Sequence, residues 1–198
     1  MKNFLISSCL FFVTINMSCQ VTQTVPLQTI DYPNGAYLKD MQDELSFLVG
    51  SWEGIANQIK YTFEFTFFPQ VLQTYENDLY EYQDQLMGKF KAVNLTNNQV
   101  LYDNLNAVDM NDYRLRELVL SWQVSFLIRF ADTEENCYNS ANFRLVKSDF
   151  NYDQIIYKEY ELGDFGLFYE GGYGCPYYEQ QSDIPMYLPT EELILTRQ

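Results

Sequence analysis

The 198-residue chain contains no histidine. That removes the commonest general base near neutral pH, the usual serine and cysteine triads, and most zinc sites. No serine is followed three positions later by lysine, and no G-x-S-x-G occurs, so two further nucleophile signatures are missing. Basic residues are scarce: 12 Lys and Arg stand against 27 Asp and Glu, for a formal charge of −15. Such a balance argues against nucleic acid and against adsorption on anionic lipid. The apolar run from Phe4 to Ile15 is too short to span a bilayer as a helix. "GGYG" at 171–174 lacks the Lys and Ser/Thr of a phosphate loop and reads as turn glycines. "DFNYD" at 149–153 starts like a calcium loop, but Gln154 stands where the sharp-turn glycine is needed and Tyr160 where the bidentate acid belongs. A polar turn is expected there, and no metal or other cofactor is expected anywhere. Acids are too plentiful for Glu64, Glu76, Asp78, Glu159 or Glu161 to mark a glycosidase pair, so no catalytic residue is assigned and the chain reads as a non-enzyme.

What is present begins with Lys2 and the run to Ile15, which read as a secretory signal peptide over residues 1–18. The "SC" at Ser18–Cys19 resembles the site at which bacterial lipoproteins are cleaved and acylated, although Asn16 stands where a leucine-like residue is usual. The alternative is a soluble secreted or periplasmic protein. With Cys9 in the signal and Cys19 at the lipid site, Cys137 and Cys175 are left as a pair. In an oxidising compartment they are expected to form a disulfide, the alternative being two unrelated thiols. Processing would leave a charge of about −16, so attachment to a membrane would need the lipid anchor. Gln20 after the cysteine, with no acidic run beyond it, resembles sorting to the periplasmic face of the outer membrane.

Residues 19–34 are rich in Thr and Gln and hold few large apolar groups, so they read as the lipidated cysteine and a flexible tether. Residues 35–198 read as one domain. Leu38, Met41, Leu45 and Leu48 recur at steps of three and four, the spacing of a short amphipathic helix. After Gly54 the period becomes two. Ile59, Tyr61, Phe63, Phe65 and Phe67 alternate with polar residues in a long half-buried strand expected to end at Pro69. Further strands are expected near 50–56, 71–77, 86–95, 99–105, 120–130, 141–147, 154–162, 165–170 and 192–197, with "TNN" at 96–98 as a hairpin turn. Residues 171–191 read as a long crossing loop pinned through Cys175. Many strands with few helices predict an all-β antiparallel barrel or sandwich.

Gly50, Trp52 and Gly54 share one strand face, and Leu193, Leu195 and Arg197 share another. This pairing resembles the lipocalin-like β-barrels, in which a Gly-x-Trp on the first strand, preceded by a short helix, packs against an arginine from the last strand. The resemblance implies an antiparallel barrel of about 8–10 strands, closed at one end by a structural plug of Gly50, Trp52 and Arg197. "GAYLKD", "FLVGSWEG", "LMGKFKAV" and "LPTEELILTRQ" together also resemble an uncharacterised family of small bacterial envelope lipoproteins. Such barrels hold either packed side chains or one small ligand. Tyr157, Glu159, Tyr169 and Tyr173 are the candidate ligand-binding residues, as a partly wet rim. The expected function is therefore binding or carriage of a small apolar ligand. The alternative is a packed barrel that docks another envelope protein.

Overall fold

The computed structural model describes residues 21–121, 125–132, 139–148, 151–163 and 183–198. Eight strands close into an antiparallel barrel in up-and-down order: β3 (Gly50–Ala56), β4 (Ile59–Thr74), β5 (Tyr80–Asn94), β7 (Leu115–Ser121), β8 (Ser125–Asp132), β9 (Asn139–Lys147), β10 (Gln154–Leu162) and β11 (Leu193–Arg197), which returns to β3. Three short strands lie off this ring: β1 (Thr24–Pro26), β2 (Tyr37–Lys39) and β6 (Gln99–Asp103). The outer edge of β5 changes partner along its length, pairing with β2 at Tyr82–Gln83, with β7 at Met87–Gly88 and with β6 at Lys91–Asn94.

Strand alternation sets the core. Trp52, Phe63, Phe90, Phe126, Phe143, Leu145, Ile155, Tyr157 and Leu195 all point inward and are buried. Phe63 lies at their centre, with ring centroids 5.7 Å from Phe90, 6.2 Å from Phe143 and 6.0 Å from Tyr157. Phe143 stacks on Tyr157 at 4.5 Å and Phe90 on Tyr102 at 4.4 Å. These rings belong to one contiguous cluster in the barrel core.

Several expected elements take a different form. The amphipathic helix is absent: Tyr37–Lys39 is a strand parallel to β1, and only Leu45–Leu48 is helical, as a single 3-10 turn. Its helical spacing still selects inward positions, since Leu38, Leu45 and Leu48 are buried while Met41 is exposed. Residue 43 has φ +58°, which breaks the helix, and the Asp40 carboxylate accepts the N–H groups of Glu44 and Leu45 at 3.0 and 2.8 Å. The stretch read as a free tether is held from Thr22 onwards: β1 pairs with β2, and Val25 packs with Ala36 and Leu38.

Pro69 does not end its strand. β4 runs through to Thr74 across a bulge between Phe68 and Val71, where Gln70 adopts φ +54° and the proline's missing N–H costs no ladder bond. The strand expected over 120–130 is the antiparallel pair β7 and β8, with Ser121 opposite Ser125. The turn at 96–98 joins β5 to β6 as expected, with Asn94 opposite Gln99. Asn151 and Asp153 lie in a turn before β10, with the Asn151 side chain accepting the Asp153 N–H at 2.9 Å. Cys19, Cys137, Cys175, Tyr169, Tyr173 and the 165–170 strand lie outside the described residues.

Candidate functional site

The two ends of the barrel are built differently. At the end where β3 begins and β11 finishes, the 3-10 turn buries Leu45 and Leu48 in the main cluster, and Trp52 is fully buried beneath it. Its indole N–H donates to the Leu48 carbonyl at 2.8 Å. Arg197, opposite Trp52 in the β11–β3 register, lays its guanidinium 4.3 Å from the indole centre. The same guanidinium donates to the Val49 carbonyl at 2.7 Å and to the Phe47 carbonyl. Two half-buried backbone acceptors at the end of a helical turn thus gain a forked cationic donor.

The glycines of the motif have separate tasks. Gly50 has φ +120°, and a Cβ there would stand 3.3 Å from the Arg197 Nη1. A Cβ at Gly54 would meet the Ile194 carbonyl oxygen at 2.6 Å, so this glycine lets β11 approach. Room for the arginine and for the neighbouring strand is what the two positions supply.

At the opposite end the described residues leave a cleft. It measures about 200 Å³ and is walled by Ala56 at the end of β3, Asn57 of the β3–β4 turn, Ile59 and Tyr61 of β4, Leu101 of β6, and residues 186–191. Tyr187 of this wall connects to the aromatic cluster through Tyr102, whose ring is 6.0 Å from that of Tyr187 and 4.4 Å from that of Phe90. Burial pushes the Tyr61 phenol above its ordinary pKa, so this hydroxyl is neutral at the cleft wall.

Of the candidate ligand-binding residues, the structure sends Tyr157 and Glu159 to different places. Tyr157 is core: it is fully buried, and its hydroxyl donates to the Pro189 carbonyl at 2.7 Å. It therefore positions the 186–191 wall of the cleft without facing a ligand. Burial raises its pKa, followed by the nearby Tyr160 and Tyr61 hydroxyls. Glu159 is on the outside, its side chain 54% exposed and ion-paired with Arg144 at 2.7 Å and Lys158 at 3.5 Å. A bulge between Lys158 and Glu161, with φ +55° at Glu159, turns it away from the mouth. Tyr157→Phe is expected to cost about 1–2 kcal/mol by leaving the Pro189 carbonyl unpaired. A fall in the urea midpoint, together with weaker binding of a small apolar probe, would be its signature.

Sequence reasoning missed the residues that do wall the cleft. Ile59, Tyr61 and Leu101 read as ordinary strand residues, and Met186 and Leu188 fell within the expected loop. Only their convergence at one rim distinguishes them. Among the described residues, no group of three Asp, Glu or Cys side chains is placed to hold a metal.

Fold and site together define a lipocalin-like antiparallel β-barrel with an aromatic core cluster, Trp52 and Arg197 packed at one end and, among the described residues, a small cleft at the other. Comparison of the chain with protein-family models, curated proteins and solved structures finds no match to any.

Proposed function

We propose that this is a non-enzymatic lipoprotein of the bacterial cell envelope, acylated at Cys19 and held at the periplasmic face of the outer membrane. Its barrel binds the apolar part of a small ligand at the mouth. The observation that carries the binding site is the position of the cleft, at the end of the barrel away from Trp52, with Phe63, Phe90, Phe143 and Tyr157 grouped in the core cluster. Carriage within the barrel, as in a hollow lipocalin, is replaced by capture at the rim. The anchor and compartment rest on the sequence at residues 1–20, as does the Cys137–Cys175 disulfide on cysteine arithmetic.

A cleft of this size holds a group of roughly seven heavy atoms, so a free small probe should bind with a dissociation constant of about 1 mM. Leu101→Trp fills the cleft from β6. It is expected to weaken binding of benzyl alcohol at least about tenfold with the melting temperature nearly unchanged, as read by calorimetry and circular dichroism. Equal binding by this variant and the parent would sink the mouth site. Fatty-acid labelling that is lost in Cys19→Ala tests the anchor.

A second reading, docking of another envelope protein, is favoured by a row on the outer surface. Val146, Ile156 and Ile194 are neighbours across β9, β10 and β11, and Val93 faces Val100 across β5 and β6. Continuing the β11–β3 register puts Ile55 beside Ile194, both of them well exposed. The probe experiment separates the two readings, since docking along this row needs no cleft.

A further inference from the structure

Among the described residues that wall the cleft, charge is of one sign. Glu191 is the charged residue among those that wall the cleft, whose other polar members, Asn57, Thr190 and the tyrosines, are neutral. Cations on the neighbouring strands are already engaged. Lys60 pairs with Glu53 at 2.8 Å, Lys91 with Asp103 at 2.8 Å, Arg114 with Asp132 at 3.5 Å and Arg144 with Glu159 at 2.7 Å. From Glu159 to Thr196 the sequence holds eight acidic residues and no lysine or arginine.

We propose that the cleft takes the apolar end of a small organic cation, an amine or quaternary ammonium bearing a short aliphatic or aromatic group. This rests on the reading of the mouth as a binding site and adds the ligand's class. The volume sets the size: about 200 Å³ exceeds the roughly 150 Å³ cavity that accommodates benzene, so it takes a ring or a short chain and not a whole acyl tail. The walls set the charge. Ile59, Leu101, Met186 and Leu188 give an apolar lining, while the faces of Tyr61 and Tyr187 attract a cation and repel an anion. A carboxylate or phosphate entering here would lose hydration, meet Glu191, and find no free cationic donor among the walls. An ammonium would keep one side in water, with the carboxylate and the rings on the other.

The test uses the whole folded chain and three probes of equal length, pentylammonium, pentanol and pentanoate, titrated by NMR at low ionic strength. Pentylammonium is expected to bind at least about tenfold more tightly than pentanoate, with pentanol between them. The gap should shrink near 1 M salt, where screening acts within about 3 Å. Glu191→Gln should weaken pentylammonium several-fold and leave pentanol unchanged. Pentanoate binding as tightly as pentylammonium, or a Glu191→Gln effect that is the same for all three, would overturn the ligand class while leaving the mouth site standing. Binding of none of the three would overturn both.

Discussion

Trp52→Ala is expected to lower the free energy of unfolding by about 4 kcal/mol, the range for deleting a large, fully buried aromatic side chain. Binding at the mouth should persist in whatever fraction remains folded. The size of the loss follows from three contacts that vanish together. The indole fills the closed end of the core with no exposed surface, supplies the N–H that satisfies the Leu48 carbonyl at 2.8 Å, and offers the face on which Arg197 rests at 4.3 Å. Trp52→Phe keeps a ring in place and should cost roughly half as much. Arg197→Lys keeps the charge but loses the fork that reaches the Val49 and Phe47 carbonyls together. Urea unfolding followed by circular dichroism gives the energies, and probe titration gives the binding. A Trp52→Ala protein of nearly parental stability that binds no probe would make this residue a ligand contact and not a plug.

Asp84→Ala is expected to cost about 3 kcal/mol and to release β1 and β2 from the barrel. The Asp84 carboxylate, almost wholly buried on β5, accepts the Tyr37 hydroxyl at 2.5 Å, the Gln70 N–H at 3.0 Å and the Asp40 N–H at 2.9 Å. One side chain thereby joins β2, the loop after it and the β4 bulge. Removing it strands three donors. The effect should spread, because Asp40 in turn holds the N–H groups of Glu44 and Leu45, which open the turn above Trp52. Hydrogen exchange should show protection lost first at Tyr37 and Asp40, and Tyr37→Phe should produce a smaller loss. Unchanged exchange at these amides in Asp84→Ala would contradict the role.

The same region carries an alkaline signature. Burial and then the bond to Asp84 raise the Tyr37 phenol, while Tyr32 and Tyr75 are pushed up to about 12, the first chiefly by its hydrogen bond to Glu81 and the second chiefly by burial. A phenol whose folded pKa exceeds its unfolded value contributes fully below about pH 10, and that contribution is lost as the pH rises through the folded value. The packing of β1 and β2 on the barrel should therefore loosen between about pH 10 and 12, as followed by circular dichroism.

The barrel was legible because alternation in β4 and β8 fixes which side chains face inward whatever the loops do: Phe63, Phe65, Phe126, Ile128 and Phe130 are all buried. The plug was legible for a related reason, since the parity of Trp52 and Arg197 survives any small shift of strand ends. The helix was not. Leu38, Leu45 and Leu48 carry a helical spacing, but inward positions on a strand and on a 3-10 turn happen to reproduce it, and the deciding bonds come from Asp40 and from Asp84, 44 residues beyond it. Pro69 misled similarly, because a bulge supported by Asp84 tolerates it. The mouth was least legible: its walls come from β3–β4, β6 and residues 186–191, and nothing in any one of these stretches announces that they meet. Tyr157 and Glu159 stand two positions apart, which on a regular strand is one face, but a bulge that alternation alone does not forecast separates them.

The most direct measurement is an NMR titration of the folded protein with benzyl alcohol, following methyl and aromatic resonances across the barrel. A packed interior with a binding mouth predicts saturable shifts at Ile59, Leu101, Met186 and Leu188, with the rings of Phe63, Phe143 and the indole of Trp52 unmoved. Saturable shifts centred on Phe63 and Phe143, marking a probe lodged inside the barrel, would contradict it.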